Sequence, residues 1–277
     1  MQKSGSRSQW RPKVDARVQD APQYDEPDKL EMSNSILRVM RGINGQASRL
    51  FGTKVLAGPF SGMEIPLVTE WDDGNFGTKL FGTYEHELRP ALMHAIWRRP
   101  QVVVNVGCGE GYYAIGLARL VPGAQVYAFD ISDSARSVCK EYGILNEVNN
   151  LFIYKGVKTP GELALSETCF GHRLYVVDIE GDEMEILDPE QCPTLKHSDI
   201  IVECHDFLRT NASSIIADRF YATHDVALVW PKLPDFEAFE FLKHFPTVMT
   251  VLLVVEKRPM PTLWLTCWAK QKETRNG

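Results

Sequence analysis

The sequence predicts an α/β protein built on a doubly wound, mostly parallel sheet, and three observations predict it. First, an apolar run rich in β-branched residues, Val102–Val106, is broken only by Asn105 and leads straight into Gly107, Gly109 and Gly111. Such a run is what a strand buried on both faces looks like. Helical apolar spacing follows over 112–121 and stops at Pro122-Gly123. Second, further short apolar runs recur at 125–131, 151–154, 174–179, 200–204, 226–230 and 263–269, with helical segments between several of them. Alternating elements with short joins give a parallel sheet covered by helices. Third, the runs end in polar residues: Asp130, then Asp178-Ile179-Glu180, then Glu203-Cys204-His205-Asp206. In an open α/β sheet the strand C-termini are where ligands bind.

The glycine spacing separates two ligands. A dinucleotide turn reads G-x-G-x-x-G, and its third glycine opens a helix against a pyrophosphate. Here the pattern is G-x-G-x-G, and Tyr112 stands where that glycine would be. Asp130 lies 19 residues past Gly111, at the tip of the second strand. A carboxylate there accepts hydrogen bonds from ribose hydroxyls. The pair specifies a nucleoside with weak provision for phosphate, which disfavours an NAD-dependent dehydrogenase.

These residues, N-V-G-C-G-E-G followed by V-Y-A-F-D, resemble motif I and the next motif of class I S-adenosylmethionine-dependent methyltransferases. The resemblance spans roughly residues 83–267. It implies a Rossmann-like methyltransferase sheet whose last strand is antiparallel and lies beside the edge. It also implies S-adenosylmethionine as cofactor. Gly107, Gly109 and Gly111 would lie against its methionine part, Asp130 and Ile131 at its ribose, and Lys155 and Gly156 beside its adenine. Asn105 stands where that family commonly has Asp or Glu. Tyr84 and Glu85, just ahead of the helix that precedes the glycine strand, would cover the cofactor's amino or adenine end. The fourth-strand segment V-D-I-E-G-D-E, residues 177–183, resembles the FkbM-like branch of these enzymes. That implies O-methylation, commonly of a small-molecule or natural-product acceptor.

Ahead of this core, residues 1–30 are polar, proline-interrupted and without periodicity, which predicts a disordered tail. Its first 17 residues hold three arginines and two lysines against one acid, so a docking arm is the sharper alternative to a solvated tail. Residues 31–82 form an elaboration: an amphipathic helix over 32–50, then V-L-A-G-P-F-S-G-M-E-I-P read as a hairpin. Residues 83–277 form the methyltransferase domain, starting with a helix whose Leu88, Leu92, Ala95 and Ile96 share a face. A helix over 212–220, another from Phe236, and aromatics Trp230, Phe236, Phe239, Phe241, Trp264 and Trp268 fill its C-terminal part.

Composition narrows the function class. With 44% hydrophobic and 24% charged residues the chain is an ordinary globular protein, and its net charge of −6 argues against nucleic acid as a partner. Six cysteines without a C-x-x-C pair fit reduced thiols, and no apolar run approaches the ~20 residues that span a bilayer. The expectation is a cytoplasmic protein with a small-molecule acceptor, no membrane contact and a homo-oligomer left open.

For the chemistry, Asp178 follows an apolar run directly and needs a partner if buried. Methyl transfer to a hydroxyl needs that proton removed, and His205 is the expected general base beside Asp178 and Glu180, which are expected in acceptor binding and catalysis. Glu180 and Glu203 are the alternative bases, His224 is a weaker candidate, and Asp178 is also expected to contact the cofactor. Asp178, His205 and Asp206 could instead hold a divalent cation, but histidine suits Mg²⁺ poorly and the expected Asp-Asn/Asp pair is missing, so no metal is expected. N-methylation, aminopropyl transfer and a non-catalytic cofactor-binding protein are the rival readings.

Overall fold

The computed structural model describes residues 26–66, 75–164, 171–235, 245–256, 260 and 262–270. Residues 1–39 and 40–277 form two compact units. The predicted tail lies outside the described residues up to position 25. Helix α1 (Glu26–Phe51) begins ahead of the expected start at Met32, so residues 26–30 are helical. Within the second unit its Met40 and Ala47 are buried.

The second unit is organised by β1 (Val102–Val106), β2 (Gln125–Asp130), β3 (Leu151–Lys155), β4 (Arg173–Val177), β5 (Asp199–Cys204), β6 (His224–Val229) and β7 (Leu263–Ala269). They form one sheet in the order β3-β2-β1-β4-β5-β7-β6. β1 pairs in parallel with β2 and β4, and its last residue, Val106, aligns with Phe129 and Val177. β7 runs antiparallel between β5 and β6, one place in from the edge, as expected. Every residue of β1, β4 and β5 is buried, which is why these strands read as mostly apolar runs with no polar alternation. Alternate residues serve different faces: Val103 joins one core cluster, and Val102, Val104 and Val106 the other.

Helices α2 (Phe76–Phe81), α3 (Arg89–Trp97), α4 (Tyr112–Leu120), α5 (Asp133–Leu145), α6 (Pro160–Leu163), α7 (Glu183–Ile186), α8 (Ala212–Phe220) and α9 (Thr247–Val254) complete the α-helices among the described residues. Ser132 caps α5 as its sequence position predicts, its hydroxyl accepting from Ala135 N at 3.3 Å. The predicted hairpin is reduced to one antiparallel bridge, Lys54 with Glu64, because the Pro59/Gly62 turn takes up the residues between. It acts as a plug. Phe60 sits so close to α4 that a Cβ on Gly116 would fall 2.5 Å from its ring.

The helix expected from Phe236, with Phe236, Phe239 and Phe241, lies outside the described residues. Of the other C-terminal aromatics, Trp264 is fully buried and Trp230 is exposed. At the N-terminal ends of β4 and β5, buried Asp199 binds Arg98 Nε and His172 Nε2, both at 2.6 Å, and accepts from Ala269 N at 3.0 Å. That cluster closes the end of the sheet opposite the site.

Candidate active site

The site starts from the turn after β1. Gly107, Gly109 and Gly111 all have positive φ, at 75°, 52° and 97°. The chain therefore folds back tightly enough for Gly107 N and Cys108 N both to donate to Phe129 O, at 2.9 and 3.0 Å. A side chain at Gly107 has no room: its Cβ would fall 1.5 Å from Asp178 O. At Gly109 a Cβ would meet nothing within 4 Å, because that glycine faces open space. Asp130 fixes the turn from the neighbouring strand. Its Oδ2 accepts from Gly109 N and its Oδ1 from Ser132 N, each at 2.9 Å. An ionised carboxylate has about four acceptor sites. Two are thus spent on backbone, and Asp130 also lines a cavity.

That cavity measures about 370 Å³ and lies over the C-terminal ends of β1, β2 and β4. Of the residues expected to hold the cofactor, Tyr84, Gly107, Gly109, Asp130, Ile131, Gly156 and Asp178 line it. Gly111 does not, but it caps α4 behind the turn in the left-handed conformation.

Three expectations are corrected. Asn105 is 1% exposed inside the sheet, and its Nδ2 donates to Val176 O at 3.2 Å, so it braces β1 against β4. Glu85 is buried outside the cavity lining, where it accepts from the Tyr113 hydroxyl and its backbone N donates to Glu256 Oε2 at 3.3 Å. Lys155 is exposed and absent from the lining; only the two residues after it, Gly156 and Val157, reach the cavity. A lysine at the tip of an edge strand projects to solvent to keep its charge hydrated.

The expected catalytic groups divide in two. Asp178, Glu180 and Asp182 line the cavity from the loop after β4. Glu180 holds φ at 56°, a left-handed conformation rare outside glycine, ahead of Gly181 at 112°. The loop is folded by Glu183, whose side chain is wholly buried. Its Oε1 accepts from Gly181 N at 3.0 Å, Ile179 N at 3.3 Å and His205 Nδ1 at 2.7 Å.

His205 sits behind this loop and does not line the cavity. Its Nε2 faces Glu180 at 3.3 Å, Glu203 at 3.5 Å and Asp178 at 3.8 Å. Burial works to lower its pKa, but the hydrogen bonds to Glu180 and Glu183 and the charges of Glu183 and Glu203 push it up to about 10. The imidazole is therefore a cation at neutral pH, with both nitrogens turned to carboxylates. The general-base assignment of His205 does not survive this geometry.

Burial and the adjacent Glu203 hold Asp178 well above the usual carboxylate range. Solvent reaches 28% of its side chain, but Oδ1 itself is buried and has no hydrogen-bond partner among the described residues. Glu203 accepts from Thr262 Oγ1 at 2.5 Å. Asp206, named with Asp178 and His205 as a cation set, turns away to accept from Ser213 N at 3.2 Å. The donor atoms that do gather within 4.8 Å are those of Asp178, Glu203 and His205. His224 opens β6 at the far end of the sheet, its Nε2 against Ser198 O at 2.8 Å, and belongs to no part of the site.

A seven-stranded sheet with an antiparallel penultimate strand, and a glycine turn and ribose-type carboxylate on one cavity, decide the fold class. It is the class I S-adenosylmethionine-dependent methyltransferase fold. No family model matches the chain. Over 107 residues it is 40% identical to a release factor glutamine methyltransferase of Flavobacterium psychrophilum, covering 38% of this chain and 36% of that protein. Over 80 residues it is 38% identical to a ribosomal protein L11 methyltransferase of Acetivibrio thermocellus, covering 28% of this chain and 25% of that one. The chain thus spans about a third or less of the length of these curated relatives. Among solved structures, an O-methyltransferase of Streptomyces achromogenes in complex with its cofactor aligns at a TM-score of 0.46, with 12% identity over 83% of this chain and 90% of that one.

S-adenosylmethionine suits the cavity. Its volume falls in the range of small-ligand sites, about 300–1,000 Å³. Bare glycine backbone, a carboxylate with acceptor sites to spare and the α4 N-terminus meet there. Sequence reasoning missed Lys79 and Glu110, which also line it. Lys79 lies in a six-residue helix too short to show periodicity. Glu110 sits between two glycines, in a position where the turn itself demands no particular side chain.

Proposed function

We propose that the protein transfers the methyl group of S-adenosylmethionine to an oxygen of a small hydroxylated acceptor. The observation that carries this reading is the cavity over β1, β2 and β4, walled on one side by the glycine turn and Asp130 and on the other by Asp178, Glu180 and Asp182. When bound, the cofactor supplies an activated sulfonium methyl, so transfer is an in-line displacement in which positioning does most of the work. The chain's share is to orient the acceptor and accept its proton. Glu180 is the group best placed for this: its side chain is 78% exposed, and it stands at the cavity rim. His205, positively charged behind it, positions the carboxylate.

The V-D-I-E-G-D-E segment supports the FkbM-like branch and, with it, oxygen as the nucleophile. The described part of the elaboration within the second unit, residues 40–66, is read as a cap that shapes the acceptor pocket. A second reading has a specific observation behind it: the curated relatives are named for release factor and ribosomal protein substrates, which favours a protein acceptor.

Two measurements test these readings. Isothermal titration should show binding of S-adenosylmethionine and its demethylated product, and none of NADH. A labelled methyl donor should then transfer label to hydroxylated small molecules and leave ribosomal protein and release factor unlabelled. Label on a protein side chain would move the assignment to the second reading. NADH binding with no response to S-adenosylmethionine would end both.

A further inference from the structure

A buried ion pair stands in the cavity wall, and neither ribose recognition nor acceptor chemistry uses it. Lys79 on α2 and Glu110 in the glycine turn are each 7% exposed, and Lys79 Nζ bonds Glu110 Oε1. The same ammonium lies 4.9 Å from the ring centroid of Tyr84 and 5.9 Å from that of Tyr112. All four residues line the cavity. Two tyrosine faces and a carboxylate hold the cation in place.

Taking two charges out of water is expensive, and apolar residues of the same size commonly serve stability as well or better. Beside a ligand cavity, such a pair presents adjacent charges of opposite sign. Its complement is a molecule bearing an ammonium and a carboxylate on one carbon. The backbone under Lys79 is also fixed. Gly77 lies so close to α9 that a Cβ there would be 2.6 Å from Leu253 O, and Thr78 Oγ1 donates to Asn75 O at 2.7 Å. A preorganised cation loses little freedom on binding.

Resting on the reading of the cavity as the S-adenosylmethionine site, we propose that Lys79 and Glu110 are the subsite for the cofactor's α-amino-acid end. Lys79 takes its carboxylate and Glu110 its ammonium, each trading part of its contact with the other for an opposite charge on the ligand. The pair then selects ligands that carry the amino-acid group over nucleosides that lack it.

The experiment compares S-adenosylhomocysteine with 5′-methylthioadenosine, which has the same nucleoside and no amino-acid end. Both are titrated calorimetrically into the wild-type chain and into Lys79→Gln, Lys79→Arg and Glu110→Gln. Lys79→Gln and Glu110→Gln should each weaken S-adenosylhomocysteine by about 10–100-fold, the loss of one charge-assisted contact. They should leave 5′-methylthioadenosine within about twofold of wild type, and Lys79→Arg should recover most of the loss. Equal weakening of both ligands would show a merely structural pair, and unchanged S-adenosylhomocysteine binding an idle one; either overturns the subsite while the cofactor reading stands. Binding of neither ligand by the wild-type chain overturns the cofactor reading and the subsite together. Should Lys79→Gln not fold, Glu110→Gln carries the same comparison from the other side of the pair.

Discussion

Replacing Gly107 by alanine is the most severe single test of how the site is built. The residue has φ 75°, and moving an L-residue into the left-handed region costs about 1–2 kcal/mol. Space is the larger obstacle. The added Cβ would fall 1.5 Å from Asp178 O, 2.6 Å from its carbonyl carbon and 3.0 Å from Ile179 Cγ2. Relief requires the ends of β1 and β4 to part, which breaks the Asp178 N→Val106 O bond of 2.9 Å, worth about 0.5–1.5 kcal/mol net. The two terms come to about 1.5–3.5 kcal/mol, or a melting temperature lower by about 3–14 °C for a domain of this size. Gly109→Ala is the control. It pays the same backbone strain at φ 52° but meets nothing within 4 Å, so it should fold, melt a few degrees lower and lose cofactor affinity because a methyl now stands over the turn. Thermal melts and titration with S-adenosylhomocysteine measure both variants. A Gly107→Ala protein melting within about 2 °C of wild type with normal affinity would refute this account of the turn.

Asp130→Ala should weaken S-adenosylmethionine by about 1–3 kcal/mol, since the carboxylate holds Gly109 N and, in the proposed cofactor site, would accept from the ribose; calorimetry checks it. His205→Gln should lower stability most below pH 6.5. A folded-state pKa raised to about 10 stabilises fully below the unfolded value and loses its effect as pH rises through the window up to 10, so the melting curves of wild type and variant should converge at alkaline pH. Asp199→Asn should cost about 3 kcal/mol by leaving Arg98 without its buried partner, as read by urea unfolding. Burial opposes ionisation of Asp199, but His172 and Arg98 hold its pKa below the ordinary value. Its stabilisation is therefore present above about pH 4 and fades as pH falls through the folded pKa, which acid titration of the melting temperature follows.

What the sequence made legible was local. β1, the turn and α4 are contiguous, their residue types have few other uses, and Asp130 and Ser132 follow within one crossover. Contacts across the chain were not legible. Asn105 reads as a polar strand tip, and only the pairing of β1 with β4 makes it a brace. His224 reads as a weaker candidate on the same edge as His205, although it stands just before a strand; because β6 begins with it, it lies at the opposite end of the sheet. Glu183, the last acid of V-D-I-E-G-D-E, carried the one signal that sequence reading could have pressed harder: a carboxylate two residues past a glycine, able to bind the loop's own N–H groups.

The acids near the site follow one physical rule. A carboxylate out of water needs donors, and those with the best donors are the ones spent on structure. Glu85 takes the Tyr113 hydroxyl, Glu203 takes Thr262, and Glu183 takes two backbone N–H groups and the His205 imidazole. Each is buried and absent from the lining of the large cavity. The acids that do face it are Glu110, Asp130, Asp178, Glu180 and Asp182. Of these, Glu110 is paired with Lys79, Asp130 braces the turn, Asp178 is held toward its neutral form, and Asp182 faces Arg209 at 3.3 Å. Glu180 alone combines broad exposure with a backbone conformation that is costly to hold, and strain of this kind persists where the surrounding structure fixes it. The surroundings that fix it are Gly181, Glu183 and His205. The histidine that sequence position nominates as the base thus belongs to the frame that holds Glu180.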